Sequence, residues 1–217
     1  MANYRLDLVT APTIEPISVK ELKTALRIEH NSEDMLLGFL ISTARSSAEA
    51  FTRRSFITQT WKMFMDSFSG YSHNYPWWKT PDYIAYPEVA APNEFELPLA
   101  PLQSVTHVKT YDDSDTETTF AASNYYVSTP SGSFAQPGTI TLRDSATWPT
   151  VERVKDGIEI QFVSGYGSSA NDIPAQIRMA VQEEASFLYE NRGTCEGKML
   201  SSGVAKRLLS QFRVVKL

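Results

Sequence analysis

The stretch Phe162–Ala180, FVSGYGSSANDIPAQIRMA, decides how the rest of this 217-residue chain is read. Gly165, Gly167 and Ala170 spell G-x-G-x-x-A directly after the apolar, β-branched run GIEIQFV at 157–163. That is the skeleton of a dinucleotide-binding turn. Such a turn works because its helix starts inside the glycine motif and aims free N–H groups at the pyrophosphate. Here Asn171-Asp172-Ile173-Pro174 is a separate start signal, with Asp172 a natural N-cap and Pro174 suited to the first turn. The helix therefore begins about five residues too late for a phosphate cradle, and no βαβ unit follows. No Gly-Lys-Ser/Thr completes a P-loop either. The stretch reads as a strand-to-helix connection whose glycines permit a sharp reversal, and no cofactor is expected.

Working outward, Ile177, Val181, Ala185 and Leu188 form the buried stripe of the helix that begins at Asp172, and Gly193 is its expected stop. Glu183 and Glu184 are adjacent and point to different faces, so they are not a catalytic dyad; Glu184 borders the apolar face. A last helix is expected over Ser202 to Gln211, with Val204, Leu208 and Phe212 at i, i+4 and i+8, followed by the tail RVVKL. At the other end of the chain Ser18 and Glu21 form an S-x-x-E capping box, flanked by Ile17 and Leu22 as a hydrophobic staple. Val19, Leu22, Ala25 and Leu26 follow as one face. A second helix opens at Asn31 or Ser32 and carries Leu37, Leu40, Ile41, Ala44, Ala48 and Phe51 at helical spacing. Arg53 and Arg54 stand at its C-terminal end, where the helix dipole favours cations.

Between these helical ends the texture is that of strands. FITQTWKMFMDSF from Phe56 alternates, and Val105–Tyr111, Thr118–Phe120, Tyr125–Ser128, Thr139–Arg143 and Gly157–Val163 follow as strands. DDSDTE at 112–117 is the polar tip of a hairpin. It is not a calcium loop, because the position that needs glycine is Thr118 and the one that needs glutamate is Asn124. The prolines at 76, 81, 87 and 92 forbid long helices and central strands in the aromatic-rich segment 69–93. Segregated blocks of helix and strand predict an α+β fold. Its small helical bundle core, two N-terminal and two C-terminal helices over 16–55 and 172–212, carries a large antiparallel β insertion over 56–165. All of it is read as a single domain, 1–217.

Composition narrows the function. The formal charge of −5 disfavours tight phosphate-neutralising binding to nucleic acid, while still allowing DNA to pass nearby. No apolar run approaches the roughly 20 residues that span a bilayer, and no secretory signal is visible, so no membrane association is expected. The single cysteine, Cys195, excludes an internal disulfide and a multi-cysteine metal cage, and a reducing compartment such as cytoplasm is the natural reading. His30, His73 and His107 are scattered without a carboxylate or a second histidine at ligand spacing, so no metal and no catalytic residue is expected. The feature most costly to leave exposed is the aromatic segment, with Tyr71, Tyr75, Trp77, Trp78, Tyr83 and Tyr86. It can cover the β region of its own chain, bury against another protein, or serve as a sugar-stacking platform. The last of these gives the alternative function, a carbohydrate-binding module using Trp77 and Trp78.

Three stretches together carry a resemblance: PISVKELKTALRIEHNSEDMLLGFLISTARSSAEAFTRRSFITQTW, ELPLAPLQSVTHVKTYD and FVSGYGSSANDIPAQIRMAVQEEASFLYENR. In this order they resemble the gp6-like or gp8-like head–tail connector (adaptor) proteins of tailed bacteriophages. The matching motifs are Phe51 to Arg54, Ile57 to Trp61, Leu97 to Val105 and Gly165 to Arg192. They are structural motifs, not catalytic ones. The resemblance implies a non-enzymatic virion protein of the neck, made in the bacterial host cytoplasm. It implies a ring of about twelve copies between the portal protein and the stopper or tail-completion protein. That ring extends a channel through which DNA passes without sequence-specific binding. By position, the portal-binding segment is Val204 to Leu217, including Arg207, Leu208, Phe212, Arg213, Val214 and Val215. A short helix followed by RVVKL calls for a docking surface, and the tail is suited to add a strand to a partner's sheet edge. Truncation before Val204 is accordingly expected to abolish portal association and leave the fold intact. The chain departs from the family pattern at 69–93, where typical members pass almost directly from ITQTW to LPxxPL. Tyr75, Trp77, Trp78, Tyr83 and Tyr86 are expected to contact a neighbouring protomer or the next tail protein.

Overall fold

The structure is a computed structural model, and it describes residues 4–68, 93–191 and 200–214. The elements in chain order are β1 (Tyr4–Thr10), α1 (Val19–Leu26), α2 (Asp34–Thr52), β2 (Gln59–Met65), β3 (Glu94–Glu96), β4 (Leu102–Tyr111), β5 (Glu117–Phe120), β6 (Tyr125–Ser128), β7 (Thr139–Leu142), β8 (Ile158–Ser164), α3 (Ala175–Glu190) and α4 (Gly203–Ser210). The architecture is α+β, with helices at both ends of the chain and antiparallel sheets between them. The expectations that fall on 69–92, on 192–199 (Gly193 and Cys195) and on Val215 lie outside the described residues.

Five strands form one sheet in the order β1-β2-β8-β4-β5, and three form a second in the order β3-β7-β6. β8 sits at the centre of the larger sheet. Its alternation sorts Ile158, Ile160 and Phe162 to a buried face shared with Met63 and Met65 of β2 and Val108 of β4. Phe95 of β3 and Ile140 of β7 come from the smaller sheet to close this cluster. Period-2 alternation thus gives the sheet one apolar face and one polar face. Two elements were not anticipated. Among the described residues β1 pairs with β2 and forms an edge of the larger sheet, and the three-residue β3 pairs with β7.

A second apolar cluster belongs to the helices. Ile17 and Leu22 of the staple, Leu37, Ile41, Ala44 and Ala48 of α2, and Ile177, Val181 and Ala185 of α3 are all buried together. The capping box forms as expected: Glu21 N–H donates to Ser18 Oγ at 3.2 Å and Ser18 N–H to Glu21 Oε2 at 2.7 Å. α2 starts at Asp34, later than Asn31 or Ser32, because 32–33 form a turn. Arg54 does not act as a solvent-exposed cation at the end of α2. Arg53 adopts left-handed backbone at φ 57°, and the chain turns so that Arg54 is buried.

The glycine stretch joins the two clusters. Gly165 N–H donates to Pro101 O (2.9 Å), Tyr166 N–H to Phe56 O (3.1 Å) and Thr58 N–H to Gly167 O (3.0 Å). Gly165 lies at φ +132°, and a Cβ there would stand 2.5 Å from Ile57 O. One at Gly167 would collide with the Asp172 side chain. These glycines are required by close backbone approach. Ser169 and Asp172 form a capping box on a 3-10 turn, Ala170–Asp172, and α3 begins after Pro174. Asp172 therefore caps that turn from its third position and is not the N-cap of α3. The helix N–H groups lie beyond the glycines, as the sequence indicated.

Candidate interaction surface

The residues singled out near the end of the chain lie on α4 and the segment after it. Ser202 caps α4, its Oγ accepting from Ala205 N–H at 3.3 Å. Glu184, buried on α3, holds the approach to the cap: its two carboxylate oxygens accept from Ser201 N–H and Ser202 N–H, each at 2.8 Å. Glu184, read from sequence as bordering the apolar face, is thus a buried structural acceptor for two backbone donors. Gln211 Nε2 donates to Gln176 Oε1 at 2.6 Å, so α4 runs back along α3 from Glu184 towards its start.

This packing corrects the expected stripe. Ala205, Leu209 and Phe212 are buried, whereas Val204 is 42% exposed and Leu208 is half-buried. The 3.6-residue period admits either set, and the approach of α4 to α3 selects the second. Phe212 is 1% exposed, stacks on Phe134 at 4.9 Å between centroids, and its carbonyl accepts from Arg54 Nε at 2.5 Å. Arg54 Nη1 donates to Ala135 O at 2.7 Å. The arginine after α2 therefore clamps the end of α4 and the loop before β7. Nothing in its spacing announced this role. Truncation before Val204 would remove three core residues, so the fold would not survive it intact, contrary to the expectation from sequence.

Val204, Arg207 and Arg213 are presented on the surface, with Leu208 partly so. Met179 of α3, 51% exposed, is a further apolar surface residue that the sequence reading missed because its helix was read only for its buried stripe. Arg213 lies over the Phe51 ring at 5.3 Å, and Val214 N–H donates to Thr52 O at 3.0 Å, fixing the chain against the last turn of α2. Tyr75, Trp77, Trp78, Tyr83, Tyr86 and Val215 fall outside the described residues, and with them the platform of the carbohydrate reading.

The polar face of the larger sheet holds a cluster of ionisable groups. Glu159 on β8 accepts from Lys62 Nζ at 2.9 Å, His107 Nε2 at 2.9 Å and Tyr111 Oη at 3.0 Å. The histidine that lacks a carboxylate at ligand spacing thus meets one through strand pairing. Burial pushes the Glu159 carboxyl up, but the hydrogen bonds from His107, Lys62 and Tyr111 outweigh it and hold the group below the ordinary carboxylate value. Burial, then Glu159 itself, push the Tyr111 hydroxyl up to about 12. Each member is occupied by the others on a sheet face, which suits cross-strand stabilisation. Asp112 closes the β4–β5 hairpin by accepting from Ser114 N–H and Thr116 N–H, each at 2.8 Å. Among the described residues no group of three or more His, Cys, Asp or Glu is placed to hold a metal. No described helix is long and apolar enough to cross a membrane.

Comparison with solved structures agrees with this architecture over nearly its whole length. The chain is similar to a protein in the neck of an empty gene transfer agent particle computed with C6 symmetry, with TM-score 0.75 and 21% identity, covering 98% of this chain and 97% of that one. It is similar to a chain of the native gene transfer agent virion, with TM-score 0.73 and 22% identity, covering 98% and 96%. A third likeness is to the neck of the native particle computed with C12 symmetry, with TM-score 0.68, 21% identity and coverage of 98% and 97%. No individually curated protein matches the chain. Residues 16–135, more than half of the sequence, match the family described as phage gp6-like head-tail connector protein, and the chain belongs to that family.

Proposed function

We propose that this protein is a structural component of a virion neck, where copies of it assemble into a ring between the portal and the stopper or tail-completion protein. The observation that carries this reading is the family match over 16–135, joined to a whole-chain likeness to proteins of gene transfer agent necks. A ring of about twelve copies extends the DNA channel, and heterologous contacts that close on themselves build it. The net charge of −5 suits a lumen through which DNA slides, since a basic lining would hold the phosphates. One domain serves the role, a helical core at 16–55 and 172–212 carrying the β insertion at 56–165.

The portal-facing surface in this reading is the exposed side of α3 and α4, with Val204, Arg207, Leu208, Arg213, Val214 and Val215 joined by Met179. Phe212 supports that surface from inside the protomer. The aromatic segment, through Tyr75, Trp77, Trp78, Tyr83 and Tyr86, contacts a neighbouring protomer or the tail-side partner. No reaction is assigned to the chain.

Negative-stain microscopy of the protein mixed with its portal tests the reading. Added density of twelve-fold symmetry on the portal rim is the expected result, and failure to co-sediment with the portal would overturn it. Val204→Asp combined with Arg207→Glu is expected to abolish co-sedimentation while leaving the melting temperature within about 2 °C of the parent, as for surface changes generally.

A further inference from the structure

One face of α2 stays open to solvent along its length. Met35, Phe39, Thr43, Ser46, Ala50 and Arg53, three or four positions apart, are all exposed. The bulky apolar residues stand at its start, Met35 at 79% and Phe39 at 66% exposure, and the small ones towards its end. There Ser46 and Ala50 border a groove of about 870 Å³ lined also by Leu8 and Trp61. Arg45 and Glu49, beside the stripe, satisfy one another at 2.7 Å, so the charges left open lie at its two ends. Asp34 bonds Lys23 Nζ at 2.8 Å and stays half-exposed, while the exposed Arg53 makes no salt bridge among the described residues. A Cβ at Gly38 would meet nothing within 4 Å, so packing inside the protomer does not call for glycine in this helix. Its absence of a side chain leaves room for the approach of another chain beside Phe39.

Turned end for end, this face fits itself. Met35 and Ala50 lie equally far from the Ser42–Thr43 peptide bond, and so do Phe39 and Ser46. A second α2 laid antiparallel across that point sets each bulky residue of one copy over a small residue of the other, as ridges pack into grooves. The same rotation carries Arg53 of each copy to the first turn of the other α2, where Asp34 supplies the opposite charge. It also brings the positive end of each helix dipole to the negative end of the other.

We infer that two copies of the free protein pair through this face as a two-fold dimer, α2 against α2 and antiparallel, with Met35 and Phe39 of each seated on Ser46 and Ala50 of the other. The stripe is about 28 Å long and about 10 Å wide, roughly 300 Å² per copy against the roughly 800 Å² of a stable interface. The dimer is therefore a weak and reversible one, filled out by the groove wall at Leu8. Copies in a ring all point the same way along its axis, whereas the two-fold reverses one of them. The pair is thus a state of the unassembled protein that opens before a ring forms. That consequence rests on the connector reading; the dimer itself does not.

Sedimentation velocity of the purified protein, from micromolar to near-millimolar concentration, tests the pairing. The mass is expected to rise from one chain to two and no further; a single chain throughout, or growth past two, would overturn the proposal. Phe39→Asp, a change on an exposed side chain, is expected to stay monomeric over the same range with an unaltered circular dichroism spectrum. Dimerisation of that variant at parental concentrations would count equally against the proposal. In a Cys195→Ser background, Phe39→Cys with Ser46→Cys is expected to oxidise to a covalent dimer alone, because both disulfides then tie the same two chains. A ladder of larger species would assign the face to head-to-tail contacts, and no cross-link would leave it unpaired; either result sinks the two-fold. Portal co-sedimentation does not read this contact, so the dimer and the connector function fail separately.

Discussion

Gly165 illustrates how much of this protein depends on single positions. Its φ of +132° and the 2.5 Å approach of a hypothetical Cβ to Ile57 O leave no room for a side chain, and the conformation is one L residues rarely adopt. Gly165→Ala is expected to lower stability by more than about 1 kcal/mol, measured by urea unfolding, with no effect on nucleotide affinity because none is expected. Glu159 makes the matching case for charge. Its folded value is depressed, so its contribution is complete above the unfolded carboxylate pKa of about 4.3 and is lost as pH falls through the lower folded value. Thermal melts between pH 6 and roughly pH 3 are expected to show a steeper acid decline for the parent than for Glu159→Gln. Equal slopes would mean that the Lys62–His107–Tyr111 arrangement does not favour the ionised form. The histidine side of this pairing was illegible beforehand, because His107 and Glu159 stand 52 positions apart and only the β4–β8 register brings them together.

At the scale of elements, local signals located most helices and strands. The capping box placed α1, and Tyr125–Ser128 was placed without error, because caps and period-2 alternation are properties of contiguous residues. β1 was missed although Arg5, Leu6, Asp7 and Leu8 alternate, since an edge strand is stabilised by its one neighbour more than by its own composition. The face of α4 was misassigned for a related reason. An eight-residue helix has no fixed burial until a partner is chosen, and α3 chose Ala205, Leu209 and Phe212. Leu209→Ala is expected to cost about 2–5 kcal/mol, while Val204→Ala changes stability by no more than about 0.5 kcal/mol. Denaturant midpoints of the two variants check the assignment directly; the reverse order would restore the stripe read from the sequence.

For the whole molecule, the net charge of −5 leads to a prediction about DNA. In an electrophoretic mobility assay at physiological salt, duplex of any sequence is expected to migrate unretarded, with the protein alone or in the assembly proposed above. Retardation at physiological salt that weakens steeply as salt is raised would point to a dedicated phosphate-binding surface and contradict a sliding channel. Assembly belongs to this scale as well. The residues expected to face the portal come from α3, α4 and the segment after Arg213, so their common surface exists only once α4 has docked against α3 and Arg54 has closed on Phe212.

The sequence by itself determined the α+β class, the segregation of helices and strands, and the glycine stretch as a strand-to-helix connection whose helix starts beyond it. Each of these rests on spacing along the chain, which propensity, capping and periodicity report directly. Tertiary structure alone decided which face of α4 is buried, that Arg54 turns inward to backbone carbonyls, and that Glu159 gathers Lys62, His107 and Tyr111. These depend on groups distant in sequence meeting at fixed separations, and such meetings follow from how the sheets and helices pack, which no local pattern encodes.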